Sequence, residues 1–155
     1  MSIKTFLKGI VENQLNANGD TYKFRFGDKG WLNLIADEQQ LPAVYLYEPI
    51  ENDDLLLAGG LIQEKYNLLL LILYKEDVTE EIIHDLDSTP EQADVLIQKA
   101  RNTKNQLLTI LRKNEDVKEL INSKTMEFQH KFDLEASGVS IGLQITMNQK
   151  QNVCL

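Results

Sequence analysis

The feature that most constrains this chain is the unbroken apolar run in residues 67–74, NLLLLILY. Charged residues bound it on both sides, with Glu64 and Lys65 before it and Lys75, Glu76 and Asp77 after it. A membrane-spanning helix needs about 20 apolar residues, so the run is far too short to cross a bilayer. It is also short for an isolated buried helix. Its length predicts a strand that is covered on both faces.

Composition and charge narrow the class of protein. The chain has 155 residues, which suits one core, and we expect a single domain over residues 1–155 with residues 148–155 as a C-terminal tail. It carries 16 Lys and Arg against 24 Asp and Glu, a net charge of −8. This acidity disfavours binding to nucleic-acid phosphates and to an anionic membrane surface. The single cysteine, Cys154, excludes an intrachain disulfide and favours a reducing compartment.

Two segments have helical spacing of apolar residues. The first follows Ser2, a suitable N-cap, and stops at the Asn-Gly pair at 18 and 19. Its stripe consists of Ile3, Phe6, Leu7, Ile10, Val11 and Leu15. The second runs over residues 90–113, with Thr89 as N-cap and Pro90 at the first helical position. Its core-facing stripe consists of Ala93, Leu96, Ile97, Ala100, Leu107, Leu108 and Leu111. We expect a further short helix over about 116–121.

Alternating segments predict the strands. Residues 22–26 alternate and suggest a short strand, with Trp31, Leu34 and Ile35 at helical spacing after it. Residues 41–49, LPAVYLYEP, form a second strand candidate, and the strand that contains the apolar run is expected over about 61–74. Residues 126–134 and 139–146 alternate on either side of a turn containing Gly138 and predict an antiparallel hairpin. The order of elements predicts an α+β fold: an antiparallel or mixed sheet of four to five strands, with the N-terminal helix and one long helix packed on one face.

The connection ENDDLLLAGG, residues 51–60, stands out between the second strand and the apolar run. It reads as a long hairpin connection in which Leu55, Leu56 and Leu57 follow the acidic residues Asp53 and Asp54. Exposed apolar residues on a connection usually need a partner. The alternative is that the strand begins earlier and buries the leucines, and the sequence leaves both alternatives open. We assign Asp53, Asp54, Leu55, Leu56 and Leu57 as candidate partner-binding residues.

No catalytic, metal or cofactor site emerges from the remaining polar residues. His84 lies near carboxylates, but zinc sites usually need three or four placed ligands, and His130 falls in the apolar register of its predicted strand. Cys154 lies in the predicted tail, away from any assigned base. The acids at 51, 53 and 54 lack the ordered alternation of a calcium loop, and the glycines are too sparse for a phosphate-binding loop. We therefore expect a non-enzymatic protein with no cofactor and no metal.

The order of elements also resembles a known family. An early strand PAVYLYEP leads through a long hairpin into IQEKYNLLLLILYKED, a Thr-Pro-capped helix follows, and the strand GVSIGLQIT closes the pattern. This layout resembles the tail terminator and tail-completion proteins of long-tailed bacteriophages and prophages, which join the head to the tail. The resemblance covers nearly the whole chain, is one of layout, and does not separate a tail terminator from a neighbouring connector protein.

The resemblance implies a structural protein of the virion, assembled in the host cytoplasm. It would form a homo-oligomer, a hexameric ring, that ends the tail tube and contacts tail-tube and neck or connector proteins. DNA would pass through the lumen without specific binding, and no membrane would be involved. The hairpin would lie at about residues 50–62, which puts Leu55, Leu56 and Leu57 at a subunit or tube contact. Two other functions stay open: a small cytoplasmic adaptor that holds one partner protein, and an enzyme of unrecognised type.

Overall fold

A mixed sheet organises the described part of the chain, and both described helices pack on one of its faces. The computed structural model describes residues 2–19, 21–27, 42–60, 62–75, 88–128 and 136–148. In these residues the main sheet has six strands in the order β1-β2-β6-β8-β7, with β3 also paired to β6, and β4 and β5 form a separate two-stranded ribbon. The first two strands are parallel and the other pairs are antiparallel. The predicted α+β class is therefore confirmed, with one strand more than expected.

The helices and strands have the following bounds. The N-terminal helix is α1, Ile3–Gly9, which continues as a π-helical turn over Ile10–Gln14 and a 3₁₀ turn over Leu15–Asn18. The long helix is α2, Ser88–Lys113. The strands are β1 Lys23–Gly27, β2 Ala43–Tyr47, β3 Glu51–Asn52, β4 Leu55–Leu56, β5 Ile62–Gln63, β6 Lys65–Lys75, β7 Val117–Phe128 and β8 Ala136–Met147.

The apolar run forms most of β6, the central strand, as its length predicts. Its backbone groups pair with β2 on one side and with β8 on the other. Leu70 and Ile72 point towards the helices and are fully buried. Leu71 and Leu73 point to the opposite face, as side chains alternate along a strand, and they are also buried. Neither face of this half of β6 meets water, which is why the run shows no apolar–polar alternation.

Both helices cover the same face because each has one apolar stripe. Ser2 caps α1, and its hydroxyl accepts a hydrogen bond from the backbone N–H of Thr5 at 3.2 Å. Gly19 ends the helical segment with φ of 93°, a left-handed conformation that glycine adopts without steric cost. All six residues of the first predicted stripe, and Ile97, Ala100, Leu107 and Leu111 of the second, meet the buried side chains of β2, β6 and β8 in a single core. Leu108 packs against this core. Both helices are confirmed, although α2 begins at Ser88, so that Thr89 lies inside the helix and is not its N-cap.

A buried hydroxyl cluster fixes the position of α2 on the sheet. The Thr103 hydroxyl lies 2.8 Å from the Tyr22 hydroxyl and 2.7 Å from the Tyr74 hydroxyl, and the two tyrosine hydroxyls also bond to each other. Thr103 donates in addition to the Lys99 carbonyl at 3.0 Å, one turn back in the helix. The tyrosine rings meet edge to face at 5.9 Å. Buried polar groups are stable only when they are hydrogen-bonded, and this cluster satisfies its three hydroxyls mutually.

The C-terminal hairpin corrects two expectations. The predicted helix over about 116–121 is wrong, because these residues belong to β7, which pairs with β8 along almost its whole length. The predicted turn at Gly138 is also wrong, since Gly138 lies inside β8 opposite Leu73. A Cβ atom there would lie 1.8 Å from the Ile72 carbonyl oxygen, so a close approach of the β6 backbone requires this glycine. The antiparallel pairing of the last two strands is confirmed.

Several expectations fall outside the described residues. These are the helical spacing at Trp31, Leu34 and Ile35, both histidines, the strand residues 129–134 and Cys154. In the part of the chain that the structure describes, no helix is long and apolar enough to span a bilayer.

Candidate partner-binding hairpin

A long hairpin extends from the end of the sheet where β6 begins. A cis peptide bond joins Glu48 to Pro49 after β2. β3 then pairs with Tyr66 and Asn67 of β6, on the N-terminal side of the part of β6 that pairs with β2. Beyond β3, the chain continues into the ribbon of β4 and β5, whose tip includes residues 57–60. Gly59 and Gly60 have φ of 86° and 78°, so the turn depends on two residues that tolerate the left-handed region. The predicted connection at residues 51–60 is therefore an ordered β-hairpin arm.

The tip of this arm exposes four aliphatic side chains, which we call the hairpin tip: Leu55, Leu56, Leu57 and Ile62. Their exposed fractions are 49%, 77%, 38% and 51%. Leu56 lies directly opposite Ile62, so these two side chains share one face of the ribbon. Leu55 lies opposite Gln63 on the other face, and exposed apolar side chains on a connection mark a candidate partner surface. Leu55 and Leu56 form β4 and Ile62 begins β5, but pairing in the ribbon leaves all three side chains exposed.

A chain of hydrogen bonds braces the base of the arm on the sheet face opposite the helices. The Asn67 side-chain amide donates to the Asp53 carboxylate at 2.9 Å, and the Gln144 amide donates to the Asn67 oxygen at 3.0 Å. The backbone N–H of Asp53 also donates to the Lys65 carbonyl at 2.8 Å. Asp53 was predicted to bind a partner. The structure gives it a contact within the chain, which holds the arm in place.

A second contact braces the other side of the arm. The Tyr66 hydroxyl donates to the Glu64 carboxylate at 3.0 Å, and the backbone N–H of Met147 donates to the Glu64 carbonyl at 2.9 Å. Burial raises the pKa of Tyr66 to about 12, with further contributions from the Glu64 hydrogen bond and from the charges of Glu64 and Asp54. The arm is thus connected to β6 and to the end of β8.

The electrostatic character of the arm is acidic. Four carboxylates lie along it, at Glu51, Asp53, Asp54 and Glu64, and all four residues are exposed. Within the described residues, no cation forms an ion pair with Glu51 or Asp54. In those residues no three His, Cys, Asp or Glu side chains converge in a way that could hold a metal ion. The arm therefore combines an apolar tip with an acidic base, and two of its carboxylates are available to a partner.

A shallow groove between the N-terminal helical segment and α2 offers little chemistry. Its volume is about 340 Å³. It is lined by Gln14, Leu15, Asn105, Gln106, Thr109 and Ile110. None of these side chains ionises in the ordinary pH range, so the groove brings no general acid or base to a ligand.

Sequence patterns did not predict a second exposed surface, which lies on the sheet face opposite the helices. Leu69 of β6 and Ile121 and Met126 of β7 are 41–45% exposed there. The expected helix over 116–121 separated Ile121 from Met126, whereas a β-bulge in β7 between Asn122 and Lys124 places both on one side of the sheet. No protein-family model matches the chain, and no curated protein matches its sequence.

Proposed function

We propose that this chain is a non-enzymatic structural protein of a bacteriophage tail or neck. In this role it forms a ring that ends the tail tube and joins it to the head connector. The observation that carries the proposal is the braced hairpin arm, which holds four exposed aliphatic side chains away from the core of its own chain.

The geometry of the arm suits assembly because the arm is held in one position before it binds. The hydrogen bonds of Asp53 and Asn67 and the Tyr66–Glu64 contact limit its motion at the base. A surface that is already ordered loses less conformational entropy on binding. Burying exposed aliphatic side chains of the hairpin tip would supply the hydrophobic driving force.

A contact between the arm of one copy and a different surface of the next copy is heterologous. Repeating such a contact gives a closed ring when the rotation between copies closes, and an open filament when it does not. The resemblance in layout to tail terminator and tail-completion proteins favours the closed ring, with six subunits and a location in the virion after assembly in the host cytoplasm. Its direct partners would be tail-tube and neck or connector proteins.

The net charge of −8 fits a ring through which DNA moves. Like charges repel, so an acidic lumen would let phosphates pass without sticking. This part of the proposal requires that acidic side chains line the lumen, and it needs no specific contact with a base.

The proposal is tested by light scattering and negative-stain electron microscopy of the purified protein and two variants. Leu56→Asp places a charge on the most exposed residue of the hairpin tip and should remove the rings. Val95→Asp is the matched control, because Val95 is 57% exposed on α2 and lies outside the arm. It should leave the rings intact.

The opposite results would favour the adaptor function. A protein that stays monomeric at high concentration, does not cap purified tail tubes, and captures one host protein through the hairpin tip would contradict the ring. Rings that form equally well with Leu56→Asp would show that the arm is not the assembly surface.

A further inference from the structure

This acidic chain concentrates positive charge on one flank. Residues 99–118, which form the C-terminal half of α2 and the start of β7, contain six Lys and Arg against two acids. Residues 51–64 of the arm contain four acids and no Lys or Arg. The arm leads into β6, and β8 separates β6 from β7 in the sheet. The two groups of opposite charge therefore lie on different parts of the molecule.

One ion pair and the helical spacing place a basic row of α2 beside β7. Arg101 forms an ion pair with Glu127 of β7, so this side of α2 lies next to that strand. Lys104, Leu108 and Arg112 follow Arg101 at intervals of three and four residues in the same helix. Side chains at these intervals lie on one side of a helix, one above the other. All four side chains of the row therefore lie towards β7.

The strand contributes the other side of this surface. Leu120 of β7 pairs with Ile145 of β8, whose side chain belongs to the core beneath the helices. Paired residues of neighbouring strands share a face, so Leu120 lies on the same face as α2. We call the surface between α2 and the outer edge of β7 the basic seam and define it as Lys104, Leu108, Arg112, Lys118 and Leu120.

The seam combines free cations with incompletely buried leucines. Leu108 and Leu120 pack against the core but are only partly buried. Arg112 and Lys118 are exposed, and no described side chain forms an ion pair with them or with Lys104. Among the described strands, none pairs with the outer edge of β7, so the seam is open on that side.

The helix dipole does not account for the whole basic row. Arg112 lies in the last turn of α2, where a cation interacts favourably with the C-terminal end of the dipole. Lys104 lies more than two turns before the end of α2, and Lys118 lies beyond it in β7. The dipole effect is confined to the last turn, so these two cations have no such role.

We propose that the basic seam receives the acidic arm of a neighbouring copy of this chain. The inference rests on the proposed ring and names the surface that each arm contacts. The carboxylates of Glu51 and Asp54 meet the cations of the seam, and leucines of the hairpin tip cover Leu108 and Leu120.

The composition of the arm matches the seam in charge and in apolar surface. Glu51 and Asp54 are exposed, and neither forms an ion pair with a described cation. Asp54 directly precedes Leu55 and Leu56, so the arm carries carboxylates next to aliphatic side chains. A nucleic-acid phosphate would match only the cations of the seam, and the net charge of −8 would repel it. Opposite charges at an interface also steer association and fix its register.

The arm of a given copy does not occupy its own seam. Leu55 and Leu56 are 49% and 77% exposed, and the cations of the seam have no described partner. The contact therefore joins two copies. Because arm and seam are different surfaces, it is heterologous, which is the kind of contact that a ring requires.

Charge reversal is the first test of this contact. Lys104→Glu should weaken assembly about tenfold or more at low salt, because like charges would then meet at the interface. Adding Asp54→Lys should restore assembly. Lys99→Glu is the matched control: Lys99 is exposed on the same helix, about 140° around the axis from Lys104, and this variant should assemble like the wild type. Circular dichroism checks that each variant is folded.

Disulfide cross-linking is the second test and changes only exposed seam and tip residues. In a Cys154→Ser background, the double variant Leu56→Cys, Lys118→Cys should give a ladder of covalent oligomers on oxidation, up to the full ring. Each single variant should give at most dimers, because one cysteine per chain can join only two chains. The control pair Leu56→Cys, Lys99→Cys should give no ladder.

The outcomes separate this inference from the proposed function. Rings that Leu56→Asp removes, but that Lys104→Glu leaves intact and that give no ladder with Leu56→Cys, Lys118→Cys, would keep the ring and overturn the basic seam as its receiving surface. Binding of duplex DNA that Lys104→Glu abolishes while the rings stay intact would assign the seam to phosphates and likewise overturn the inference. A wild-type protein that forms no oligomer at all would overturn both the inference and the proposed ring.

Discussion

Replacing Leu70 with alanine should destabilise the protein by about 3–5 kcal/mol, whereas the same change at the adjacent Leu69 should cost only about 1–1.5 kcal/mol. Leu70 is fully buried between Leu46 of β2 and Ile141 of β8, so truncation loses the transfer free energy and leaves a cavity. Leu-to-Ala changes at such sites cost about 2.7–5.0 kcal/mol in the best-studied core series. Leu69 is 41% exposed. Removing three carbon groups at about 0.8 kcal/mol each, scaled by the buried fraction, gives the smaller number, and no closed cavity forms.

Urea denaturation followed by circular dichroism measures both free energies of unfolding. The protein should be studied at a concentration at which it is monomeric, since association would add to the apparent stability. An unchanged slope with a shifted midpoint would show that only stability changed. Equal losses for the two variants, or a larger loss for Leu69→Ala, would refute the assignment of the apolar run to a strand with Leu70 facing the helices.

The hydroxyl cluster, Tyr66 and the brace of the arm give three further predictions. Thr103→Val should cost about 1–3 kcal/mol in urea denaturation, because it removes the hydrogen bonds that the hydroxyls of Tyr22 and Tyr74 make with Thr103 inside the core, while Thr109→Val, which removes a similar 2.8 Å bond to a backbone carbonyl on the exposed side of α2, should cost less than about 1 kcal/mol. The pKa of Tyr66 is about 12 in the folded protein against 10.0 unfolded, so its contribution to stability is complete below pH 10 and is lost as pH rises towards 12. The tyrosinate absorbance of Tyr66, obtained as the difference between the wild type and Tyr66→Phe, should rise late, and Glu64→Gln should move it to lower pH. Asn67→Ala should speed amide hydrogen exchange in residues 51–56 more than in the core of β6. Exchange in residues 51–56 that is as slow as in the wild type would show that the Asn67 hydrogen bond does not order the arm.

Local sequence patterns predicted the elements whose burial is encoded locally. The apolar run predicts β6 because a strand covered on both faces loses its apolar–polar alternation. The stripe of α2 specifies both its length and its buried face. Residues 117–121, VKELI, were misassigned because Lys, Glu and Leu are good helix formers. They form a strand only because β8 pairs with them, and that pairing depends on residues far away in the sequence.

Local sequence patterns likewise predicted only part of the candidate site. Leu55, Leu56 and Leu57 could be predicted as exposed because they follow acidic residues in a connection, where leucines are unusual. Ile62 could not, because it falls within the expected start of the long strand at about residue 61. The brace through Asn67 and Gln144 depends on the register of β6 against β8, which no local pattern contains. The shared face of the exposed residues Leu69, Ile121 and Met126 was missed for a similar reason, because it depends on the register of three strands.

Sedimentation velocity of the wild-type protein beside Leu56→Asp and Val95→Asp tests most directly the claim that the hairpin tip is an assembly surface. The account predicts one discrete closed oligomer for the wild type and for Val95→Asp, and a folded monomer for Leu56→Asp. A wild-type monomer at every concentration, or a Leu56→Asp variant that sediments like the wild type, would contradict it.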